Sequence, residues 1–437
     1  MRKYLTILII LCVLTSCGRN VGVDKDAISD QSVTSTDVLS ANSAVSSSSE
    51  TTTVTTITVS SSTEKINENP PDSVILKSLD SLEVYSNIKV SEFIIDTNTE
   101  ILNIEEILNT SELGQKSITV IFSYEDKTYE KNIFYEVVDT TEPLVLNSGW
   151  NPYVQVGKPF DLNSIVGFAD NYDRQPLLSY TGEVDTETVG NYPITVTVTD
   201  SSGNSTSWDI SVLVLNEIPT PEDNNTRMNF TDFIEYYNYE NVSYGIDVSA
   251  WQTNVDYEAV KADGCEFVLM RIGYCYDEIQ MDDYYLQNIE NAENAGLDIG
   301  VYFYTTANTE EKAREHARWI VEQLGGRELD YPIAFDWEEW ACFQEYNMNI
   351  HDLNSIFNAF CDEIEKNGYS CMLYSSKNFL DNFWENNRNY PVWLAHYVDE
   401  TDYTGQFAIW QASAYGRISG IDGDVDMNIR INDVPLG

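Results

Sequence analysis

Beyond position 243 the chain alternates short apolar runs with stretches whose apolar residues recur every three or four positions. Runs at 244–248, 267–272, 299–304, 333–337, 372–375, 392–396, 408–411 and 425–429 predict eight strands. Helical periodicity over 257–263, 284–295, 310–324 and 353–367 predicts helices between the early ones, the last three stopping near Gly296, Gly325 and Gly368. Strands alternating with helices predict a β/α barrel. Only eleven residues separate His396 from Ala408, fewer than the dozen or more that a helical crossover takes. The outer ring of helices is therefore expected to be incomplete.

Upstream the period falls to two. Leu113-Gly114-Gln115-Lys116-Ser117-Ile118-Thr119-Val120-Ile121-Phe122 and Val189-Gly190-Asn191-Tyr192-Pro193-Ile194-Thr195-Val196-Thr197-Val198 share one layout, a glycine followed by turn or polar residues and an Ile-Thr-Val strand. A polar turn and a second alternating strand follow each. The repeat period, roughly 75 residues, is that of a small sandwich and not of a solenoid unit. Two all-β sandwiches are expected, at 70–139 and 140–216, with a linker at 217–240 around Pro219 and Pro221 and the last domain at 241–437. Residues 18–69 are rich in Ser and Thr, bury too little apolar surface to offset chain entropy, and are expected to form a stalk.

The first 17 residues carry Arg2 and Lys3, an apolar run over 4–13, and Leu14-Thr15-Ser16-Cys17. The run is too short to span a bilayer and reads as an export signal. Its end resembles a bacterial lipobox, which implies that Cys17 is lipidated and anchors an extracytoplasmic protein to the membrane.

Against 71 Asp and Glu stand 24 Lys and Arg, a formal charge of 24 − 71 = −47. Nucleic-acid binding needs clustered cations, so that class of partner is excluded. Five cysteines, Cys265, Cys275, Cys342, Cys361 and Cys371, lie in the C-terminal region without C-x-x-C spacing. That argues against zinc and against an obligatory disulfide framework.

Active sites of β/α barrels gather at the C-terminal ends of the strands. In Pro332-Ile333-Ala334-Phe335-Asp336-Trp337-Glu338, strand alternation puts Asp336 and Glu338 on one face and turns Trp337 to the other. Two carboxyls facing one cavity repel when ionised, and one pKa rises. This is how a carboxyl holds the proton that glycosidic cleavage delivers to its leaving oxygen. Asp247 closes the first strand and Asp426 lies in the last. These strands are neighbours in a closed barrel, so four acids are expected in one pocket.

Residues 244–431 resemble the family 25 glycoside hydrolases, the muramidases or lysozymes. The matching motifs are Gly245-Ile246-Asp247-Val248-Ser249 with Trp251-Gln252, Gly300-Val301-Tyr302-Phe303-Tyr304, Phe335-Asp336-Trp337-Glu338, Trp393-Leu394-Ala395, Ile409-Trp410-Gln411 and Val425-Asp426-Met427-Asn428. The resemblance implies a flattened β/α barrel, hydrolysis of the β-1,4 bond between N-acetylmuramic acid and N-acetylglucosamine, and no metal or organic cofactor. It implies Glu338 as general acid/base and Asp336 as nucleophile or as partner of the substrate's acetamido group. Asp247 then tunes the pair, Asp426 binds substrate, and Tyr302 and Trp410 wall the sugar site. The two upstream units resemble bacterial immunoglobulin-like surface modules.

There are departures. Many members carry Lys-x-Ser/Thr-Glu-Gly on the second strand, where this chain has Met270-Arg271-Ile272-Gly273-Tyr274, and Thr253 stands where Pro or Gly is more usual. His316 and His351 are expected on the surface and His396 as a structural residue near the pocket. No G-x-S-x-G elbow occurs, against a serine hydrolase. The competing reading is a surface lipoprotein that binds wall glycan without cleaving it.

Overall fold

The computed structural model describes residues 74–76, 81–97, 100–124, 126–146, 150–220, 223–385 and 388–437. Cys17 and the Ser/Thr-rich stretch lie outside them. The chain divides into two units at Val138/Asp139.

Ahead of that division, the strands Gly114–Tyr124 and Lys127–Val138 form an antiparallel hairpin flanked by Leu82–Glu83 and Glu100–Ile101. Val120, Phe122, Tyr135 and Val137 alternate inward and are buried. After the division, Gly190–Thr199 and Ser205–Leu215 make the equivalent hairpin, flanked by Leu177–Thr181 and by Tyr153–Gln155. Ile194, Val196, Val198, Ile210, Val212 and Val214 fill its core.

The closed sheet of the last region is built on eight main strands in sequential order: β1 (Val242–Val248), β2 (Phe267–Cys275), β3 (Asp298–Tyr304), β4 (Ile333–Asp336), β5 (Cys371–Ser376), β6 (Val392–Ala395), β7 (Ile409–Arg417) and β8 (Val425–Ile431), with the short strands Met228–Asn229 and Ile279–Met281 paired to β7 and β2. β1 to β7 pair in parallel with their sequence neighbours. β8 pairs antiparallel with both β7 and β1, closing the sheet on itself. The short segment between β7 and β8 is too brief for a crossover and forces a hairpin. The eighth strand therefore presents its N-terminal end to the rim where the others present their C-terminal ends.

Helices α2 (Tyr257–Ala262), α3 (Tyr285–Ala295), α4 (Glu310–Leu324) and α5 (Ile350–Lys366) fill the first four connections. Among the described residues only the six-residue helix Lys377–Asn382 lies between β5 and β6, and no helix lies between β6 and β7. Gly296 and Gly325 end α3 and α4 in the left-handed conformation, φ 71° and 59°, where a side chain is disfavoured.

Both faces of the closed sheet are buried, hence the near-continuous apolar runs. One set of side chains, including Phe267, Leu269, Ala334, Met372, Trp393 and Ile409, clusters inside the ring. Gly245 leaves room there, since a Cβ would come 2.5 Å from the Phe267 ring. The alternate set faces the helices: Phe335 packs on Phe360 of α5, ring centres 5.1 Å apart. Each such buried phenylalanine contributes about 1.5–3 kcal/mol.

Three expectations are corrected. The 217–240 segment is not all linker: Met228–Asn229 pairs with β7, and α1 (Phe230–Tyr236) buries Phe230 and Phe233. Its apolar stripe at Phe230, Phe233 and Tyr237 has helical spacing that the neighbouring prolines and polar residues obscured. His316 is buried, 3% exposed, bonded through Nδ1 to Thr305 Oγ1 at 2.8 Å on the inner face of α4. Cys361 of α5 and Cys371 of β5 form a disulfide, their Cα atoms 5.4 Å apart, because β5 runs alongside the helix it follows. Cys265 and Cys275 are buried free thiols, and Cys342 is buried too.

The second hairpin module docks on this region through its 168–175 loop. Asn349 and Asp352 form a capping box at the start of α5. Ile350 N donates to Asp170 O at 2.8 Å, Asn349 Nδ2 to Tyr172 O at 2.6 Å, and Arg174 forks onto Asp352 at 2.7 and 2.9 Å.

Candidate active site

Strand phase aims the acids. Ala334 and Asp336 of β4 face the interior, whereas Phe335 and Trp337 face the helices, Trp337 Nε1 donating to Ala307 O at 3.0 Å. Glu338 follows β4 by two residues, in phase with Asp336. Burial raises both pKa values, and each carboxyl acts on the other. The charge of Glu338 drives Asp336 well above the usual carboxylate range, and nearby Arg271 offsets only part of this. The charges of Glu339 and Asp247 add to the rise at Glu338.

Asp247 and Asp426 form a second acid pair. They are register partners across the β1–β8 contact. Burial pushes Asp247 up to about 6 against the opposing pull of Asn428 and Gln411. Asp426 is also raised well above the usual carboxylate range, through burial and then through Asp247.

Asp247 is also the hub of a buried hydrogen-bond network. Its Oδ2 accepts from Gln411 Nε2 at 2.9 Å and from Asn428 Nδ2 at 2.8 Å. Gln411 Oε1 in turn accepts from the hydroxyls of Tyr374, at 3.0 Å, and Tyr397, at 2.8 Å. Asn428 Oδ1 accepts from Trp393 Nε1 at 2.8 Å. Every link joins different strands or rim loops, so the orientation of one carboxylate is tied to the closure of the sheet.

Tyr302 of β3 faces inward, its ring edge-on to Trp393 at 5.7 Å. Arg271 of β2 occupies the place expected for a cation and is held by the buried Asp282, Nε to Oδ2 2.8 Å, which also accepts from Ala250 N. Thr253 has φ 53° and ψ −123°, a conformation suited to glycine, which accounts physically for the glycine usual there.

Trp410 does not join them. It neighbours Gln411 in β7 and so points the other way, 3% exposed, with Nε1 bonded to His396 O at 2.8 Å and its ring against Tyr237 of α1 at 5.4 Å. It is a packing residue between sheet and helix. His396 bonds Thr401 Oγ1 through Nδ1 at 2.9 Å.

Sequence reasoning missed the uncharged members Gln411, Asn428, Tyr374 and Tyr397, together with Glu339, which accepts from Tyr304 Oη at 2.6 Å. The inward phase of their strands would have found Gln411 and Asn428. Trp251, in the turn after β1, is 83% exposed although its backbone is fixed by the Ser249–Gln252 capping box.

A carboxyl pair with raised pKa values, with a second acid pair and one arginine beside it, is a site that can protonate a leaving oxygen and stabilise positive charge developing on a sugar ring. Residues 246–421 match the family described as glycosyl hydrolases family 25, and residues 145–214 match the bacterial surface protein, Ig-like domain. The C-terminal region is thus a family 25 glycosyl hydrolase domain, preceded by a bacterial surface immunoglobulin-like domain.

The chain is similar to the autolytic lysozyme of Clostridium acetobutylicum, 30% identical over 188 residues that cover 42% of this chain and 54% of that one. Lysozyme M1 of Streptomyces globisporus is 28% identical over 202 residues, 42% of this chain and 66% of that one. The chain thus spans about half the length of the first of these relatives. Among solved structures, a family 25 glycosyl hydrolase from Bacillus anthracis aligns at 18% identity over 44% of this chain and 90% of that one, with a TM-score of 0.39.

Proposed function

We propose that the chain is a peptidoglycan hydrolase, cleaving the β-1,4 bond between N-acetylmuramic acid and N-acetylglucosamine. The observation that carries this reading is the Asp336–Glu338 pair, one strand period apart at the end of β4, with raised pKa values beside the facing pair Asp247 and Asp426. Glu338, the more accessible of the two, is the general acid/base, and burial together with the negative charges of Glu339 and Asp247 favours its protonated form. Asp336 Oδ1 is buried and accepts no hydrogen bond among the described residues, which suits it to receive the N–H of an attacking acetamido group. Asp426 and Tyr302 contact substrate.

In this reading the catalytic domain is a flattened β/α barrel with an incomplete helical ring. Two immunoglobulin-like sandwiches and a stalk hold it away from a membrane in which lipid on Cys17 anchors it, facing the cell wall. Digestion of purified peptidoglycan by the full chain, with identification of the sugar at each new reducing end, tests the activity. Metabolic labelling with a clickable fatty acid, in cells carrying either the natural chain or Cys17→Ala, tests the anchor.

A further inference from the structure

Outside the catalytic domain, three acids from distant parts of the immunoglobulin-like module converge. Asp139 begins the module, Asp170 lies in the loop that docks on the catalytic domain, and Asp200 opens the turn of the Gly190–Leu215 hairpin. They are 6%, 1% and 6% exposed, and one carboxylate oxygen of each lies within 4.8 Å of those of the other two. Three buried like charges at that spacing are strongly unfavourable unless something offsets them. Neither Asp170 nor Asp200 forms a salt bridge among the described residues.

Asp170 shows most directly what is missing. Its Oδ2 accepts from the backbone N–H groups of Tyr172, at 2.9 Å, and Asp173, at 2.7 Å, while its buried Oδ1 has no donor. Burial, and then the charges of Asp139 and Asp200, push this carboxyl up to about 6. The next residue, Asn171, also has a buried Oδ1 without a donor.

We propose that Asp139, Asp170 and Asp200 bind one divalent cation of the calcium class, and that the ion fixes the 168–175 loop against the start of α5. The donors are all oxygens carried by loops, with no His or Cys, which fits a hard ion of flexible, high coordination and disfavours zinc. Magnesium demands a stricter octahedron and parts reluctantly with its water, so it binds more weakly. The link to docking runs through the same residue: the backbone Asp170 O accepts from Ile350 N, and Tyr172 and Arg174 make the neighbouring contacts.

The test is calorimetric titration of calcium chloride into the full, chelator-stripped chain at about 0.15 M salt. The expected result is uptake of one ion with a dissociation constant between about 10⁻⁶ and 10⁻³ M. That uptake is lost in Asp170→Asn and in Asp200→Asn, kept in Glu338→Gln, and weaker with magnesium. In the natural chain, hydrogen exchange over 168–175 and 349–352 should slow when calcium is added, a readout that does not depend on any variant folding. No uptake by the natural chain, equal uptake by the two module variants, or exchange indifferent to calcium would overturn the proposal. None of these readouts involves hydrolysis, so this site and the glycosidase reading fail separately.

Discussion

Asp247 and Asp426 stand directly opposite each other across the antiparallel contact that closes the sheet. Two carboxyls in that position take up protons more readily folded than unfolded. Asp247 titrates at about 6 in the fold, against about 3.9 in an unfolded chain. Between those values the native state holds the extra proton, so this group's contribution to stability is full below about pH 4 and is lost as pH rises through about 6. The melting temperature should therefore fall as pH is raised across that window. In Asp247→Asn the fall should be smaller, since one of the carboxyls with a raised pKa is gone while Asp426, Asp336, Glu338 and Asp170 remain. Equal slopes for the two proteins would remove Asp247 from this role.

The same substitution should act on the reaction. Asp247 raises the pKa of Glu338 through its charge. Without it the basic limb of the pH–rate profile should move to lower pH, while the wild-type limb lies above the pKa of an ordinary glutamic acid, about 4.3. Initial rates on solubilised glycan across pH measure both.

Trp410 and Tyr302 should separate cleanly. Trp410→Ala empties a buried site between β7 and α1 and should cost about 3–5 kcal/mol of stability, while folded protein at low temperature keeps its turnover rate. Tyr302→Ala should depress turnover or raise KM. Denaturant melts paired with kinetics give the answer.

Trp251 is exposed on a turn whose backbone is fixed, next to the strand end that carries Asp247. Trp251→Ala should leave the melting temperature within about a degree, as surface changes do, and raise KM for glycan severalfold if the ring serves as a sugar platform. An unchanged KM assigns the ring no part in binding.

Thr253 holds a backbone conformation that costs a side-chain-bearing residue about 1–3 kcal/mol. Replacement by glycine relieves this and adds some unfolded-state entropy. Thr253→Gly should stabilise the fold by about 1 kcal/mol in equilibrium unfolding.

The eight strands and four principal helices were legible because each buried element carries its own period: 244–248 or 333–337 can be little else than a strand covered on both faces. Asp336 and Glu338 were legible because two residues is one strand period. Trp410 was misplaced because a family motif was carried over without its phase, although Gln411 beside it points into the site. The hydrogen bonds onto Asp247 could not be read from spacing, since Gln411 and Asn428 lie 164 and 181 positions away and carry no charge to draw attention. The α1 helix was hidden by the prolines before it. Asp139, Asp170 and Asp200 are drawn together only by the fold of their module.

The central claim is that Glu338 delivers the proton that breaks a muramyl bond. It is tested most directly by digesting purified peptidoglycan with the full chain and with Glu338→Gln and identifying the sugar at every new reducing end. The natural chain should expose N-acetylmuramic acid, and the variant, folded to the same melting temperature within a few degrees, should be slower by about 10²- to 10⁴-fold. Undiminished release by Glu338→Gln, or reducing ends on N-acetylglucosamine alone, would contradict it.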